Sequence, residues 1–524
     1  MRPLATAQLL ILLSQATPLV TSQDSSSSCL DYSTRSRTRH PPFSPGRHAL
    51  SSARPSPSCR TFNLSSLESL LGTLPIADPD LLRLWQNTYP NTLDTAIKWH
   101  GHSNSPDSEE ELTFIITGDI NAMWLRDSAR QLQSYLPLLT PSPSSDSLAS
   151  LFRGTVNTQA RNVLSAGYCN SFRPPPESGV ISDEEGGDKD VVRPEYDRAG
   201  VFECKWEVDS LASFLELSRD YYFSTHDIEF FGRQGNWTEA VRRVVEVGRG
   251  MQRGTTYGAD GRVLGSGYSF ARMTTRSTET LANDGAGSPV ASGTGLVRSA
   301  FRPSDDATTY QFLVPGNMMF CVALAGAAVI AEDLGEQELA GEMRAFSREV
   351  REGIEKFGVV EVVGEDGVSK EKVYAYEVDG FGGVVLGDDA NLPSLLSAPV
   401  MGYVAGSDPV YQATRRRILS RRNPYYADGE VVKGVGSPHT GPGKVWPMSL
   451  VMQIMTSEDD EEIRGALKQI LGSTDGLGLI HESIDGWDST KWTREWFSWA
   501  NGLFGAMIVD LAKRKEGLLR ESFQ

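Results

Sequence analysis

The feature of this sequence that most limits its fold is a series of long helix-like patterns. Apolar residues recur at helical spacing in residues 209–222, 237–248, 316–334, 337–357, 445–456, 459–471 and 496–512. Strand-like runs, such as residues 113–116 and 372–378, are short and isolated. A parallel sheet with crossover helices is hard to build from such runs. The pattern therefore predicts one helical domain with short β elements in its loops.

The composition indicates a large folded protein with an acidic surface. With 524 residues and 39% hydrophobic content, the chain can bury a large core and is too apolar for general disorder. Its 50 Lys and Arg against 67 Asp and Glu give a net charge of −17, which repels phosphate backbones and anionic lipid surfaces. We therefore expect no nucleic-acid partner. The sequence leaves the oligomeric state open.

The five cysteines, Cys29, Cys59, Cys169, Cys204 and Cys321, show no CxxC pair and no Cys/His ligand spacing. A structural zinc site therefore finds no support. In an oxidising compartment, one or two disulfides can form, and at least one thiol is left over.

The N-terminus is typical of a secreted protein. Residues 1–22 have a weak positive start at Arg2, the apolar run LLILL and a small-residue cleavage site, which predicts a signal peptide. A signal anchor is the competing interpretation, although the apolar run is too short for a full span, and no later stretch is predicted to cross a membrane. Sequons at Asn63 and Asn236 would carry glycans only on the surface of a secreted chain.

Domain limits follow from composition. Residues 23–60 are rich in Ser, Pro and Arg with almost no apolar periodicity, which predicts a disordered lead-in. The folded domain is then expected over residues 61–524, with polar surface loops at residues 103–111 and 174–190.

A block dense in Trp and acidic residues, HESIDGWDSTKWTREWFSWANGLFG, occupies residues 481–505. Indole rings stack on the apolar faces of sugars, while carboxylates and an Arg hold hydroxyls or supply acid–base chemistry. The alternative is a buried C-terminal helix, because Trp496, Trp499 and Phe504 recur at helical spacing. For His481 and Glu482, which precede that helix, the pattern favours a functional site.

Two further polar blocks fall at junctions between helices. Residues 116–128, ITGDINAMWLRDS, carry Asp119, Trp124, Arg126 and Asp127 on a turn before a helix. Asp127 and Ser128 could simply cap that helix, but capping does not explain the other three residues.

The second block, FRPSDDATTY at residues 301–310, predicts a helix start with Ser304 as N-cap and with Asp305 and Asp306 in the first turn. Adjacent carboxylates repel and can drive their pKa values apart, which would leave one protonated as a general acid. The alternative is an ordinary charged first turn.

Together with these blocks, CKWEVDS at residues 204–210, GDDANLPSLL at 387–396, NPYYADG at 423–429 and GSPHTGPGKVWPMSL at 436–450 carry a resemblance. The ordered set is similar to glycoside hydrolase family 125, the exo-acting α-1,6-mannosidases. This resemblance implies an (α/α)6 barrel, the six-hairpin glycosidase fold. It also implies hydrolysis of terminal α-1,6-linked mannose with inversion and without a metal or cofactor, on mannan or N-glycan-type oligosaccharides.

Inversion needs two carboxyl groups about 6.5–9.5 Å apart, one protonating the leaving oxygen and one activating water. Carried over by the resemblance, the acid falls on Asp305 or Asp306, with the choice left open, and the base falls on Glu482.

Recognition of the terminal mannose is expected to involve Asp119, Arg126 and Asp127, because carboxylates and a guanidinium hold adjacent hydroxyls well. Trp124 would provide a stacking wall. Further candidates around the pocket are Arg302, His439, His481 and Arg494. The pair Asp388 and Asp389 has the same paired-acid appearance but could instead brace a helix start.

Two other functions remain open at this stage. One is an inverting exo-glycosidase that acts on another sugar or linkage, because this fold hosts several activities. The other is a secreted glycan-binding protein without catalysis.

Overall fold

The computed structural model describes residues 29–104, 109–182, 185–233 and 236–524. Helices provide most of the regular structure in these residues. They are α1 (Tyr32–Arg35), α2 (Ser65–Thr73), α3 (Pro79–Thr88), α4 (Leu125–Gln133), α5 (Leu148–Ala166), α6 (Val208–Thr225), α7 (Ile228–Gly232), α8 (Asn236–Met251), α9 (Val314–Asp333), α10 (Gln337–Gly353), α11 (Pro409–Ile418), α12 (Pro447–Met455), α13 (Asp460–Leu471), α14 (Ser498–Arg514) and α15 (Glu516–Leu519). Each of the seven predicted helical patterns coincides with one of these helices.

The strands are short and pair only antiparallel within the described residues. They are β1 (Ile97–His102), β2 (Glu111–Ile115), β3 (Met123–Trp124), β4 (Ser171–Phe172), β5 (Val191–Arg193), β6 (Val201–Glu203), β7 (Ser269–Ala271), β8 (Phe312–Leu313), β9 (Val359–Val363), β10 (Lys370–Tyr374), β11 (Glu377–Val378), β12 (Val384–Val385), β13 (Tyr426–Asp428), β14 (Lys433–Val435), β15 (Lys444–Val445), β16 (Ser483–Asp485) and β17 (Trp492–Thr493). They form sheets of two or three strands in the connections between helices, as the isolated strand-like runs predict.

The helices pack in two layers. In the inner layer, α4 contacts α6 and α14, α6 contacts α9, and α12 contacts α14. Outer helices cover them: α10 lies on α9, α5 on α6, α13 on α12, and α3 on α14. The apolar periodicity explains this arrangement, because an outer helix such as α10 buries Leu339, Met343, Phe346 and Val350 on one face and leaves its charged face in water.

Helix α9 is apolar on all sides. By length and composition it could cross a membrane, contrary to the expectation from the sequence, but 78% of its apolar window is buried inside the protein. It packs between α6 and α10. A helix that is apolar all round is expected at such a central position.

Residues 29–60, here called the N-terminal segment, are ordered, so the predicted disorder is wrong for them. Leu50 is fully buried, and the Ala53 N–H donates to Asn87 Oδ1 at 3.1 Å. Arg54 Nε lies 2.6 Å from Asp94 Oδ2. Composition misleads because polar side chains of this segment bind buried acids of the helical body instead of forming an apolar face. The predicted signal peptide, residues 1–22, lies outside the described residues.

The cysteine prediction is confirmed. Cys29 and Cys59 form one disulfide within the N-terminal segment, and Cys169 and Cys204 form a second. Cys321 remains a buried free thiol.

Candidate active site

A cavity of about 320 Å³ lies where the inner helices begin. Trp124 precedes α4, Trp446 precedes α12 and Phe497 precedes α14. All three line the cavity, together with Lys205, which lies shortly before α6. Helix N-termini carry partial positive charge and stabilise nearby carboxylates. A larger cavity of about 630 Å³, near Arg153 and Trp237, contains none of the predicted site residues.

The cavity brings together seven of the eleven residues singled out from the sequence. Those that line it are Trp124, Arg126, Asp127, Asp305, His439, Glu482 and Arg494. They come from four blocks that are far apart along the chain, so the fold, and not local sequence, gathers them.

The two neighbouring aspartates occupy different environments. Asp305 lines the cavity, whereas Asp306 is buried behind it, accepts a hydrogen bond from Ser304 Oγ at 2.8 Å and lies 3.6 Å from His439 Nδ1. No helix starts here, contrary to the prediction. Asp305 adopts φ +68°, a left-handed conformation that few residues other than glycine enter and that clusters at functional sites. This tight turn sends the two carboxyl groups in different directions.

The raised pKa expected for one of the two aspartates does not occur at Asp305. Burial acts to raise its pKa, but the positive charges of Lys205, Arg126 and His439 together hold the pKa below its usual range. The group whose pKa is raised well above normal is Glu207, because of burial and of the nearby Asp305 and Asp209 charges.

Glu482 lines the same cavity as Asp305, although it comes from a distant block of the sequence. Its Oε2 accepts a hydrogen bond from Thr493 Oγ1 at 2.8 Å, and its Oε1 lies 3.4 Å from Arg494 Nη1. Arg494 Nε in turn donates to Asp119 Oδ1 at 3.0 Å. Both oxygens of Glu482 are therefore oriented by side chains from the adjacent strand β17 and the residue after it.

A buried charge cluster forms another wall. Arg126 Nη1 contacts Glu207 Oε2 at 2.7 Å and Asp209 Oδ2 at 2.8 Å, and its Nη2 lies 3.6 Å from Asp127 Oδ2. Burial, together with the Asp305 charge, raises the pKa of Asp127 to about 6. Asp127 Oδ2 has no hydrogen-bond partner among the described residues. A buried polar atom without a partner is costly, and Asp127 is one of the residues that line the cavity.

His439 completes the polar lining. Burial acts to lower its pKa, but its contact with Asp306 and the charges of Asp305 and Glu482 raise the pKa to about 9. An imidazole with this pKa is cationic at neutral pH, and both of its nitrogens then carry an N–H donor.

Four of the predicted site residues do not line the cavity. Asp306 and Asp119 act behind it, on His439 and Arg494. Arg302 is bound to Glu377 at 2.6 Å. His481 is fully buried and stacks on Trp492 at 4.5 Å, and burial lowers its pKa to about 4. The structure therefore does not place Asp119, Arg302 and His481 at the surface of this cavity, and their contact with a substrate stays a prediction.

The sequence interpretation missed the charged residues that precede α6. Glu203, Lys205 and Glu207 alternate with buried apolar side chains, and Glu203 and Lys205 line the cavity. Charged residues at every second position of an extended segment point to the same side. That alternation of charged and apolar residues is the sequence signal that could have identified Glu203 and Lys205 as site residues. The pair Asp388 and Asp389 braces a turn, since Asp388 accepts the N–H groups of Leu395 and Leu396, both at 2.9 Å.

Asn170 links several parts of the site. Its Oδ1 accepts the Lys205 N–H at 3.1 Å, its backbone oxygen accepts the Leu125 N–H at 3.0 Å, and its Nδ2 lies 3.4 Å from Asp305 Oδ1. The disulfide Cys169–Cys204 joins the residues directly before Asn170 and Lys205. The disulfide therefore fixes the two groups that hold Asp305.

Replacing both Cys169 and Cys204 by Ser is expected to lower the free energy of unfolding by about 3 kcal/mol, because the loop constraint is lost. With Asp305 as one of the two candidate acids of the sequence analysis, we also expect kcat to fall roughly tenfold, since a misplaced acid loses alignment. The matched control is the double change of Cys29 and Cys59 to Ser, which opens a loop of similar length away from Asp305. Denaturant unfolding and steady-state kinetics of both variants check this. Equal losses of kcat in the two variants would contradict a specific positioning role.

The helical layers and the cavity lined with acids and Trp residues fit a glycoside hydrolase. The sequence pattern of the family described as metal-independent α-mannosidase (GH125) matches residues 78–509 of this chain. The chain therefore belongs to glycoside hydrolase family 125, as the sequence blocks predict.

Two relatives support this membership. The meiotically up-regulated gene 157 protein of Schizosaccharomyces pombe is 44% identical over 497 residues, which cover 94% of this chain and 94% of the relative. A solved metal-independent α-mannosidase from Streptococcus pneumoniae, in a non-productive complex with α-1,6-mannobiose, is 34% identical with a TM-score of 0.71. That comparison covers 83% of this chain and 94% of the bacterial chain.

Proposed function

We propose that this protein is an exo-acting α-1,6-mannosidase that removes terminal mannose with inversion of configuration. The observation that carries the proposal is that Asp305 and Glu482, from distant blocks, line one cavity. A cavity of about 320 Å³ is small for a ligand site and suits a terminal sugar unit. The α-1,6 linkage is supported by the disaccharide bound to the Streptococcus pneumoniae relative.

In this proposal Asp305 is the general acid and Glu482 the general base. Asp305 gives a proton to the glycosidic oxygen as the bond to the anomeric carbon breaks. Glu482 takes a proton from the water that attacks the opposite face of the sugar. Asp127, Arg126 and Arg494 hold the hydroxyls, and neither step draws on a metal ion.

The same proposal includes an (α/α)6 barrel. Five inner positions are α4, α6, α9, α12 and α14, and four of their outer partners are α5, α10, α13 and α3. The turns of residues 389–402 would fill the sixth inner position, before the outer helix α11.

We also propose that the protein enters the secretory pathway. Two disulfides, Cys29–Cys59 and Cys169–Cys204, support this, because such bonds persist in oxidising compartments. The natural substrate would then be a secreted or cell-surface mannan or N-glycan-type oligosaccharide.

Proton NMR of the protein with α-1,6-mannobiose and EDTA tests the activity. We expect β-mannose as the first product, since water enters opposite the leaving group, and an undiminished rate with the chelator. Initial α-mannose would overturn inversion, and EDTA inhibition would overturn metal independence. Turnover of only other α-linked mannobioses would favour an exo-glycosidase of different linkage. Binding without turnover would indicate a glycan-binding protein.

A further inference from the structure

The cavity wall around Arg126 contains more carboxyl groups than nearby cations. Asp127, Glu207, Asp209 and Asp305 surround Arg126, and all four raise its pKa. Asp127, Glu207 and Asp209 are buried. Because an uncompensated buried carboxylate is unstable, such a cluster retains a proton.

Asp127, Glu207 and Asp209 each have one buried oxygen without a partner among the described residues, and Glu207 is the one of the three that is hydrogen-bonded to Asp305. Glu207 Oε2 accepts from Arg126 Nη1 at 2.7 Å and from Ser210 Oγ at 3.2 Å. Glu207 Oε1 is buried and has no donor among the described residues. As a carboxylic acid it becomes a donor itself, and the acceptor is Asp305, to which the Glu207 carboxyl is hydrogen-bonded.

Five titratable groups from the surrounding elements face Glu207. They are Arg126 from α4, Lys205 from the segment before α6, Asp209 from α6, Asp305 from the turn before β8, and the phenol of Tyr268. Burial, Asp305 and Asp209 raise the pKa of Glu207 well above its usual value. For Asp305, the hydrogen bond from Glu207 and the cations outweigh burial and lower the pKa.

We propose that Glu207 is a proton-holding positioning residue, which supplies through its hydrogen bond the proton that Asp305 gives to the leaving oxygen. This inference rests on the proposed function. When a sugar displaces water from the cavity, Asp305 loses solvation and takes the proton from Glu207. Asp305 then protonates the glycosidic oxygen while Glu482 takes a proton from the attacking water. After product release, Glu482 loses its proton and Glu207 regains one, so only water is consumed.

The test is Glu207→Gln, which keeps the shape and a hydrogen-bond donor but has no proton to give. With α-1,6-mannobiose, kcat is expected to fall roughly 100-fold, the lower range for loss of acid catalysis. With an α-mannoside that carries a dinitrophenyl leaving group, which leaves without protonation, kcat is expected to change less than about threefold on the same reasoning.

The pH profile gives a second readout. The alkaline limb of kcat/KM marks deprotonation of the acid in the free enzyme. Without Glu207, the proton must sit on Asp305, whose pKa is held low by Lys205, Arg126 and His439. The alkaline limb of Glu207→Gln is therefore expected to move to lower pH by roughly one unit or more.

The matched control is Asp209→Asn, which removes the other carboxylate on Arg126 Nη1. It is expected to change kcat for both substrates in the same proportion. Equal losses on both substrates with Glu207→Gln, or an unmoved alkaline limb, would overturn the proposal. If Glu207→Gln does not fold, Glu207→Asp provides the test. This variant keeps an ionisable group, so the alkaline limb of its kcat/KM profile should stay at the wild-type pH. A shift of that limb to lower pH would contradict the proposal.

These outcomes are separate from failure of the proposed function. A wild-type protein that hydrolyses neither substrate would reject the mannosidase proposal itself. A wild-type protein that turns over both substrates leaves only the role of Glu207 in question.

Discussion

Replacing Glu482 by Gln is expected to lower kcat on α-1,6-mannobiose by roughly 10³-fold, with KM changed little. The amide keeps the size of the side chain and the hydrogen bond with Thr493, but it cannot take a proton from the attacking water. The loss should be equally large with a dinitrophenyl leaving group, since water must be activated for either substrate.

Azide provides the direct check on this role. As an anionic nucleophile it needs no base, so it is expected to restore turnover of the activated substrate by Glu482→Gln and to give the β-mannosyl azide. The matched control is Glu495→Gln in the same block, whose carboxylate binds Arg37 at 2.6 Å and does not line the cavity. Its kcat should stay within about threefold of wild type. An α-mannosyl azide product would contradict direct inversion by water.

Asp305→Asn and Asp306→Asn are expected to differ, and the comparison decides which aspartate is the acid. Asp305→Asn should lower kcat on α-1,6-mannobiose by roughly 10³-fold but spare the dinitrophenyl substrate, which needs no protonation. Asp306→Asn removes the partner of His439 and should affect both substrates alike, by roughly tenfold, through loss of positioning.

Steady-state kinetics of the two variants on the two substrates measure this difference. If Asp306→Asn shows the selective loss and Asp305→Asn does not, the acid has been assigned to the wrong residue. The substrate that needs no acid serves as the internal control for folding in each variant.

The sequence predicted the helical fold and seven of the residues that line the cavity because the relevant signals are local. Helical periodicity needs only neighbouring residues, and Trp124, Arg126 and Asp127 lie within one block. Glu482 and Arg494 likewise belong to one block. The fold only had to bring these blocks together.

The errors arise where a side chain's direction depends on distant partners or on an unusual turn. His481 and Glu482 are adjacent, and successive side chains of an extended segment point to opposite sides, so one enters the core and the other the cavity. Arg302 is bound by Glu377, which no local pattern reveals. The structure has a left-handed turn at Asp305 where a helix start was predicted. This turn directs the carboxyl groups of Asp305 and Asp306 to different places.

The ordered N-terminal segment determines where a shortened form of the protein can begin. Composition suggests a start at residue 61, but that cut would remove Arg37, Arg54 and the backbone donor of Ala53 from buried Glu495, Asp94 and Asn87. It would also remove one wall of the cavity that contains Asp119, the partner of Arg494. A truncated enzyme intended for crystallisation or for industrial use should therefore retain the chain from Cys29 onward, with its disulfide to Cys59 intact.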